Sequence, residues 1–142
     1  GDTSQAVELE RRAIAKCEQI PDPRVRAVSH NNLAKYLNKT NTPSALAESA
    51  YHRLADLTYV LVAGLGESMK TSLRNYAIAF RRAKAAGTAF AAPRLSELLS
   101  QPAFRPLAQW LDQRKVNREE LQNALDKFLE SARQMGESEN SS

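Results

Sequence analysis

Apolar residues recur at helical spacing along almost the whole chain, and this periodicity constrains the fold more than any other feature of the sequence. No segment alternates apolar and polar residues over the roughly four to eight positions that a half-buried β-strand requires. The pattern therefore predicts an all-α fold of about six to seven helices.

Helix-starting and helix-stopping residues divide this pattern into elements. Thr42 followed by Pro43 is typical of a helix start, and Asn117 and Glu120 have the spacing of a capping box. The Pro-Asp-Pro triplet at 21–23 stops the first helix, because proline cannot continue the hydrogen-bond ladder. The predicted helices cover residues 4–20, 24–39, 44–64, 68–86, 94–99, 106–114 and 117–135.

The first predicted helix carries two apolar stripes, which indicate contact with two neighbours. The broader stripe consists of Ala6, Leu9, Ala13, Cys17 and Ile20, and the narrower one of Val7 and Ile14. Cys17 lies on the broader stripe, so we interpret it as a small buried hydrophobic residue rather than a nucleophile.

The alanine-rich segment 89–93 is the best candidate for a boundary within the chain. We expect a helical region over 1–88 and a C-terminal helical subdomain over 89–136 packed on it. Gly136 should end the last helix, and the polar residues 137–142 should form a disordered tail. The first residue is Gly rather than Met, so we expect a fragment of a larger protein.

The cysteine count and the longest apolar run limit the class of protein. Cys17 is the single cysteine and cannot pair within the chain, which favours a cytoplasmic location. The run from Tyr59 to Leu65 is about a third of the ~20 apolar residues that a membrane span needs, so no membrane partner is expected. Val60 and Val62 lie on a turn that is apolar all round, which leaves self-association possible.

The second and third helices resemble one tetratricopeptide repeat (TPR). Such a repeat has a large residue, a small one after it and an aromatic one three further on, then small, aromatic and small positions in its second helix. The corresponding residues here are Leu33, Ala34, Leu37, Ala47, Tyr51 and Leu54, with Leu37 replacing the aromatic residue and Leu54 a small one. The resemblance covers about residues 5–63.

The TPR resemblance implies a scaffold that binds another protein through polar side chains on a concave surface. The matching polar positions are Asn31, Asn32, Lys35 and Asn38, on the first helix of the repeat. A solvated face without a partner is the alternative interpretation of these four residues.

Positive charge is concentrated in one helix, where Lys70, Arg74, Arg81 and Lys84 form a basic stripe. Residues 67–94 carry a net charge of +5 although the whole chain carries +4, and residues 117–142 carry −3. The basic stripe could face an acidic protein surface or peptide, nucleic-acid phosphate, or the acidic last helix of the same or another copy. A solvated face remains the fourth interpretation.

Catalytic motifs are weak in this sequence. His30 and His52 lie on consecutive helices and could approach each other near Cys17 or Glu48, but neither has metal-ligand spacing within its own helix. Gly64 and Gly66 end a helix rather than follow a strand, so they do not form a phosphate-binding loop. We therefore predict a non-enzymatic protein-interaction module without cofactor or metal, with nucleic-acid or phosphate binding by the basic stripe as the alternative.

Overall fold

The computed structural model describes residues 2–87 and 94–141, and their side chains except at 2, 3, 129, 132, 133 and 135–141. The described residues form seven α-helices without a strand: α1 (Asp2–Cys17), α2 (Pro23–Thr40), α3 (Pro43–Ala63), α4 (Gly66–Ala85), α5 (Leu95–Ser100), α6 (Arg105–Gln113) and α7 (Arg118–Ser141). A 3₁₀ turn, Pro102–Phe104, joins α5 to α6. The all-α prediction is confirmed.

Side-chain caps start the helices where the sequence indicates. Thr42 accepts a hydrogen bond from the Ala45 amide at 3.2 Å, and Asn117 accepts one from the Glu120 amide at 3.0 Å. Gly64 ends α3 in the left-handed conformation, with φ of 70°. The last helix differs from the expectation, because α7 continues past Gly136 to Ser141. A glycine costs about 1 kcal/mol inside a helix but does not forbid it.

The buried face of α1 is the narrower of its two apolar stripes. Ile14 is buried and Val7 packs against the same small core, formed with Leu33 and Leu37 of α2. On the broader stripe, Leu9 and Ile20 are 64% and 44% exposed. Cys17 is half-buried, so the expectation of a fully buried cysteine is wrong.

Neighbouring helices along the chain are neighbours in space. Helix α2 packs on α1 and α3, and α4 packs on α3 and α7. Because α2 and α4 both lie on α3 without packing closely on each other, a cleft separates them. Small side chains, Ala50 of α3 with Ala79 and Ala83 of α4, let α3 and α4 approach closely.

The main core lies where the C-terminal helices cover α3. Phe104, Leu107 and Leu111 are almost fully buried there, together with Leu57 and Tyr59 of α3. The expected boundary at 89–93 lies outside the described residues, and the two predicted regions share this core. None of the helices in the described part of the chain is long and apolar enough to cross a bilayer.

Candidate functional site

The cleft between α2 and α4 contains a cavity of about 630 Å³, which Arg53 of α3 also lines. Three residues of the predicted polar face, Asn32, Lys35 and Asn38, line it. Asn31 does not; it is half-buried, and its Oδ1 atom is buried without a hydrogen-bond partner. The structure thus brings three of the four predicted residues to one concave site.

Four cations surround this cavity, from three different helices. Lys35 and Lys39 come from α2, Arg53 from α3 and Arg82 from α4. Among the described residues that line the cavity, Glu10 of α1 is the one acidic side chain. The cavity is therefore strongly electropositive, and it favours an anionic group.

Arg53 is the most unusual of these cations, because its side chain is only 6% exposed. Its Nε and Nη1 atoms are buried and have no hydrogen-bond partner. Burial lowers the pKa of Arg53, the nearby charge of Asp56 opposes this shift, and that of Arg82 adds to it. A buried guanidinium whose donors lack acceptors is costly, since each unsatisfied donor loses its hydration without replacement.

Asp56 lies one turn after Arg53 and is 5% exposed. Burial raises its pKa to about 6, although a hydrogen bond with Ser72 and the charge of Arg53 act in the opposite direction. With a pKa of about 6, Asp56 is mostly ionised at pH 7, so its negative charge lies close to the charge of Arg53.

A second, more apolar groove adjoins the cavity. It runs between α1 and α2, has a volume of about 340 Å³, and is lined by Ala13, Cys17, Val25 and Val28. Val28 is 57% exposed, although the sequence places it on the apolar stripe of its helix. Glu10 and Asn32 line both the groove and the cavity, so the two form one continuous surface along α2.

The predicted basic stripe lies mainly outside this surface. Lys70, Arg74 and Lys84 are exposed on α4, and the Lys84 Nζ atom lies 6.0 Å from the centre of the Phe80 ring. Arg81 is half-buried and makes contacts of its own. The basic residue of α4 that lines the cavity is Arg82, which the sequence analysis did not include in the stripe.

A separate polar cluster is centred on the two histidines, whose Nδ1 atoms lie 2.8 Å apart. His30 is fully buried and His52 is 3% exposed. His30 Nε2 lies 2.5 Å from a carboxylate oxygen of Glu18, and His52 Nε2 lies 3.4 Å from one of Glu48. The predicted approach of the histidines to each other and to Glu48 is confirmed. The other neighbour suggested from the sequence was Cys17, but the residue that contacts His30 is Glu18.

The outer carboxylates of this histidine cluster are themselves held by donors. Arg11 donates two hydrogen bonds to Glu48, at 2.5 and 2.8 Å, and thereby ties α1 to α3. Tyr59 donates its hydroxyl to Glu18 at 2.9 Å, and Arg26 donates to the Glu18 main-chain carbonyl at 2.7 Å. The cluster thus joins α1, α2 and α3 through charge-assisted hydrogen bonds.

An ionised carboxylate only accepts hydrogen bonds, and this limits which ring nitrogens of the two histidines can donate. His30 Nε2 donates to the carboxylate of Glu18, and in the contact between the two Nδ1 atoms one histidine donates and the other accepts. Burial lowers the pKa of His52 to about 4, while contacts with His52 and Arg11 lower the pKa of Glu48 to about 2.

The histidine cluster has the features of a structural network. Neither histidine lines the cavity or the groove, and the Phe104 ring packs against both, with centroid distances of 5.7 and 4.9 Å. Among the side chains that the structure describes, no group of three or more His, Cys, Asp or Glu residues could hold a metal ion. The concave surface of the cavity and groove is the better candidate site.

Comparison with protein-family models, with curated proteins and with solved structures found no match.

Proposed function

We propose that the chain is a protein-interaction module whose cleft between α2 and α4 binds a segment of a partner protein. The observation that carries this proposal is the cavity of about 630 Å³, in which a nearly buried arginine keeps unpartnered donors beside three further cations. Retaining such a group costs stability, so we infer that it is kept for a ligand.

The shape and the composition of the surface also favour a peptide ligand. The cavity continues into the apolar groove between α1 and α2, so one surface offers both charged and apolar contacts. Exposed apolar residues beside polar ones are typical of interaction sites. The TPR resemblance remains a hypothesis, and it is consistent with a ligand bound on the face of α2.

Selection from a displayed library of random peptides tests this proposal. Peptides enriched on the wild-type chain should lose binding when Lys35→Glu or Val28→Glu is introduced, because the first residue lines the cavity and the second lines the groove. Both side chains are exposed, so the changes should leave the fold intact. Lys127→Glu on α7 is the matched control and should bind as the wild type does.

Two results would contradict the proposal. One is a selection that enriches no peptide. The other is binding that survives both cleft variants, because the ligand would then occupy a different surface.

A second candidate function is phosphate binding by Lys70, Arg74 and Lys84, which is favoured by their common exposure on α4. Such binding should be weak and should fall steeply with salt. Retention on heparin that is unchanged by Lys70→Glu with Arg74→Glu would exclude it.

A further inference from the structure

We propose that the cavity is a carboxylate-binding subsite, with Arg53 as its central cation, and that its occupant is an acidic residue or a chain terminus of a partner peptide. This inference rests on the proposed function and specifies the chemistry of the ligand. It is carried by the atoms that the fold leaves without partners and by the charges that surround them.

Two residues that line the cavity carry buried polar atoms without a hydrogen-bond partner. Arg53 keeps two buried donors, Nε and Nη1, without an acceptor. Asn38 lines the same cavity, and its Oδ1 atom is a buried acceptor without a donor. A ligand that completes the site must therefore supply both acceptors and an N–H group.

A peptide with a carboxylate supplies both kinds of group in one small volume. Its carboxylate and main-chain carbonyl oxygens are acceptors for a guanidinium, and its main-chain amide is a donor for an asparagine oxygen. Inorganic phosphate and the phosphates of nucleic acids offer acceptors without that N–H group. The requirement for a donor at Asn38, together with the apolar groove beside the cavity, is the reason to infer a peptide rather than a phosphate group.

The surrounding charges agree with a single carboxylate. Lys35 and Arg82 are exposed at the cavity and can reach a ligand, and the Lys39 Nζ atom lies 5.2 Å from the centre of the Tyr36 ring, also a lining residue. Glu10 at the junction with the groove opposes additional negative charge there. The ligand should therefore present an acidic group to the cavity and an apolar side chain to the groove.

The test measures binding of a peptide enriched in the display selection, labelled with a fluorophore, by fluorescence anisotropy. Replacing its acidic side chain by the amide, Glu by Gln or Asp by Asn, should weaken binding about tenfold or more if the side chain is the source of the carboxylate. Amidating its C-terminus should have that effect instead if the terminus is the source. The Arg53→Met variant should lose as much, and Arg82→Gln at least about threefold.

Two matched variants keep the result interpretable. Arg53→Met replaces a buried cation, whose Nε and Nη1 atoms lack partners, by an apolar side chain of similar length, and circular dichroism checks that the variant is folded before its binding is measured. Lys127→Gln removes an exposed charge from α7 and should bind as tightly as the wild type.

The inference and the proposed function fail in different ways. If the peptide loses binding with Lys35→Glu or Val28→Glu but neither amide replacement nor Arg53→Met weakens it, the partner site stands and the carboxylate subsite is wrong. If inorganic phosphate displaces the peptide while both amide replacements leave the affinity unchanged, the carboxylate assignment is also overturned. If no peptide is selected, both proposals fall together.

Discussion

Replacing Asp56 by asparagine should expose a strong dependence of stability on pH that the wild-type chain conceals. Asp56 and His52 are both buried, and burial shifts the pKa values of an acid and a base in opposite directions. The pKa of Asp56 rises from 3.8 to about 6, and that of His52 falls from 6.5 to about 4. Their contributions to the pH dependence of folding therefore oppose each other.

The sign of each contribution follows from which state binds more protons. Between pH 6.5 and 4 the unfolded chain protonates His52 more readily, so stability falls as the pH is lowered. Between pH 6 and 3.8 the folded chain protonates Asp56 more readily, so stability rises as the pH is lowered. From pH 7 to 4.5 each effect amounts to about 2 kcal/mol, and the two nearly cancel.

The Asp56→Asn variant removes one side of this balance. It should be more stable than the wild type at pH 7, by up to about 3 kcal/mol, and should lose about 2 kcal/mol on acidification to pH 4.5. A His52→Gln variant should show the reverse slope and gain stability over the same range. Urea unfolding at several pH values measures both slopes, and a flat profile for Asp56→Asn would refute the assignment of His52 as a buried neutral base.

Three further substitutions test the packing and the hydrogen bonds. Glu18→Gln removes the carboxylate that accepts from His30 and should cost about 3 kcal/mol in urea unfolding; a loss under about 1 kcal/mol would show that the histidine cluster does not stabilise the fold. Ala79→Leu inserts a large side chain between α3 and α4 and should lower stability by about 1 to 3 kcal/mol, so an unchanged melting temperature would contradict their close approach. Asn117→Ala removes the cap of α7 and should lower the free energy of unfolding by about 1 kcal/mol. Asn123→Ala, within α7, is the control, and an equal loss of stability in it would contradict the capping role of Asn117.

The helical framework could be predicted from the sequence because its signals are local. The capping residues Thr42 and Asn117 and the periodicity of α2 and α3 depend only on neighbours along the chain. The prediction was wrong for Leu9 and Ile20 of the broader apolar stripe of α1, which are exposed. The buried face follows Val7 and Ile14 and ends at Glu18, just after the helix. The charge of Glu18 is buried because His30 of α2 and Tyr59 of α3 meet its carboxylate.

Part of the candidate site could be predicted because its residues on α2 follow a local pattern along one helix. Asn32, Lys35 and Asn38 were identified as a polar face of one helix, and the structure places them at the cavity. Arg53 and Arg82 were missed, because their meeting requires the packing of α3 and α4. A charged residue among the apolar residues of α3, such as Arg53, was the available signal.

The most direct test of a carboxylate ligand at Arg53 is the NMR signal of its side-chain Nε–H group, followed as a selected acidic peptide is added. The atom is buried and lacks a partner in the free chain, so a new acceptor should shift its resonance strongly and slow its exchange with water. We predict a saturable shift of this signal and of the Asn38 side-chain amide. A titration that saturates while both signals stay unchanged would contradict the account.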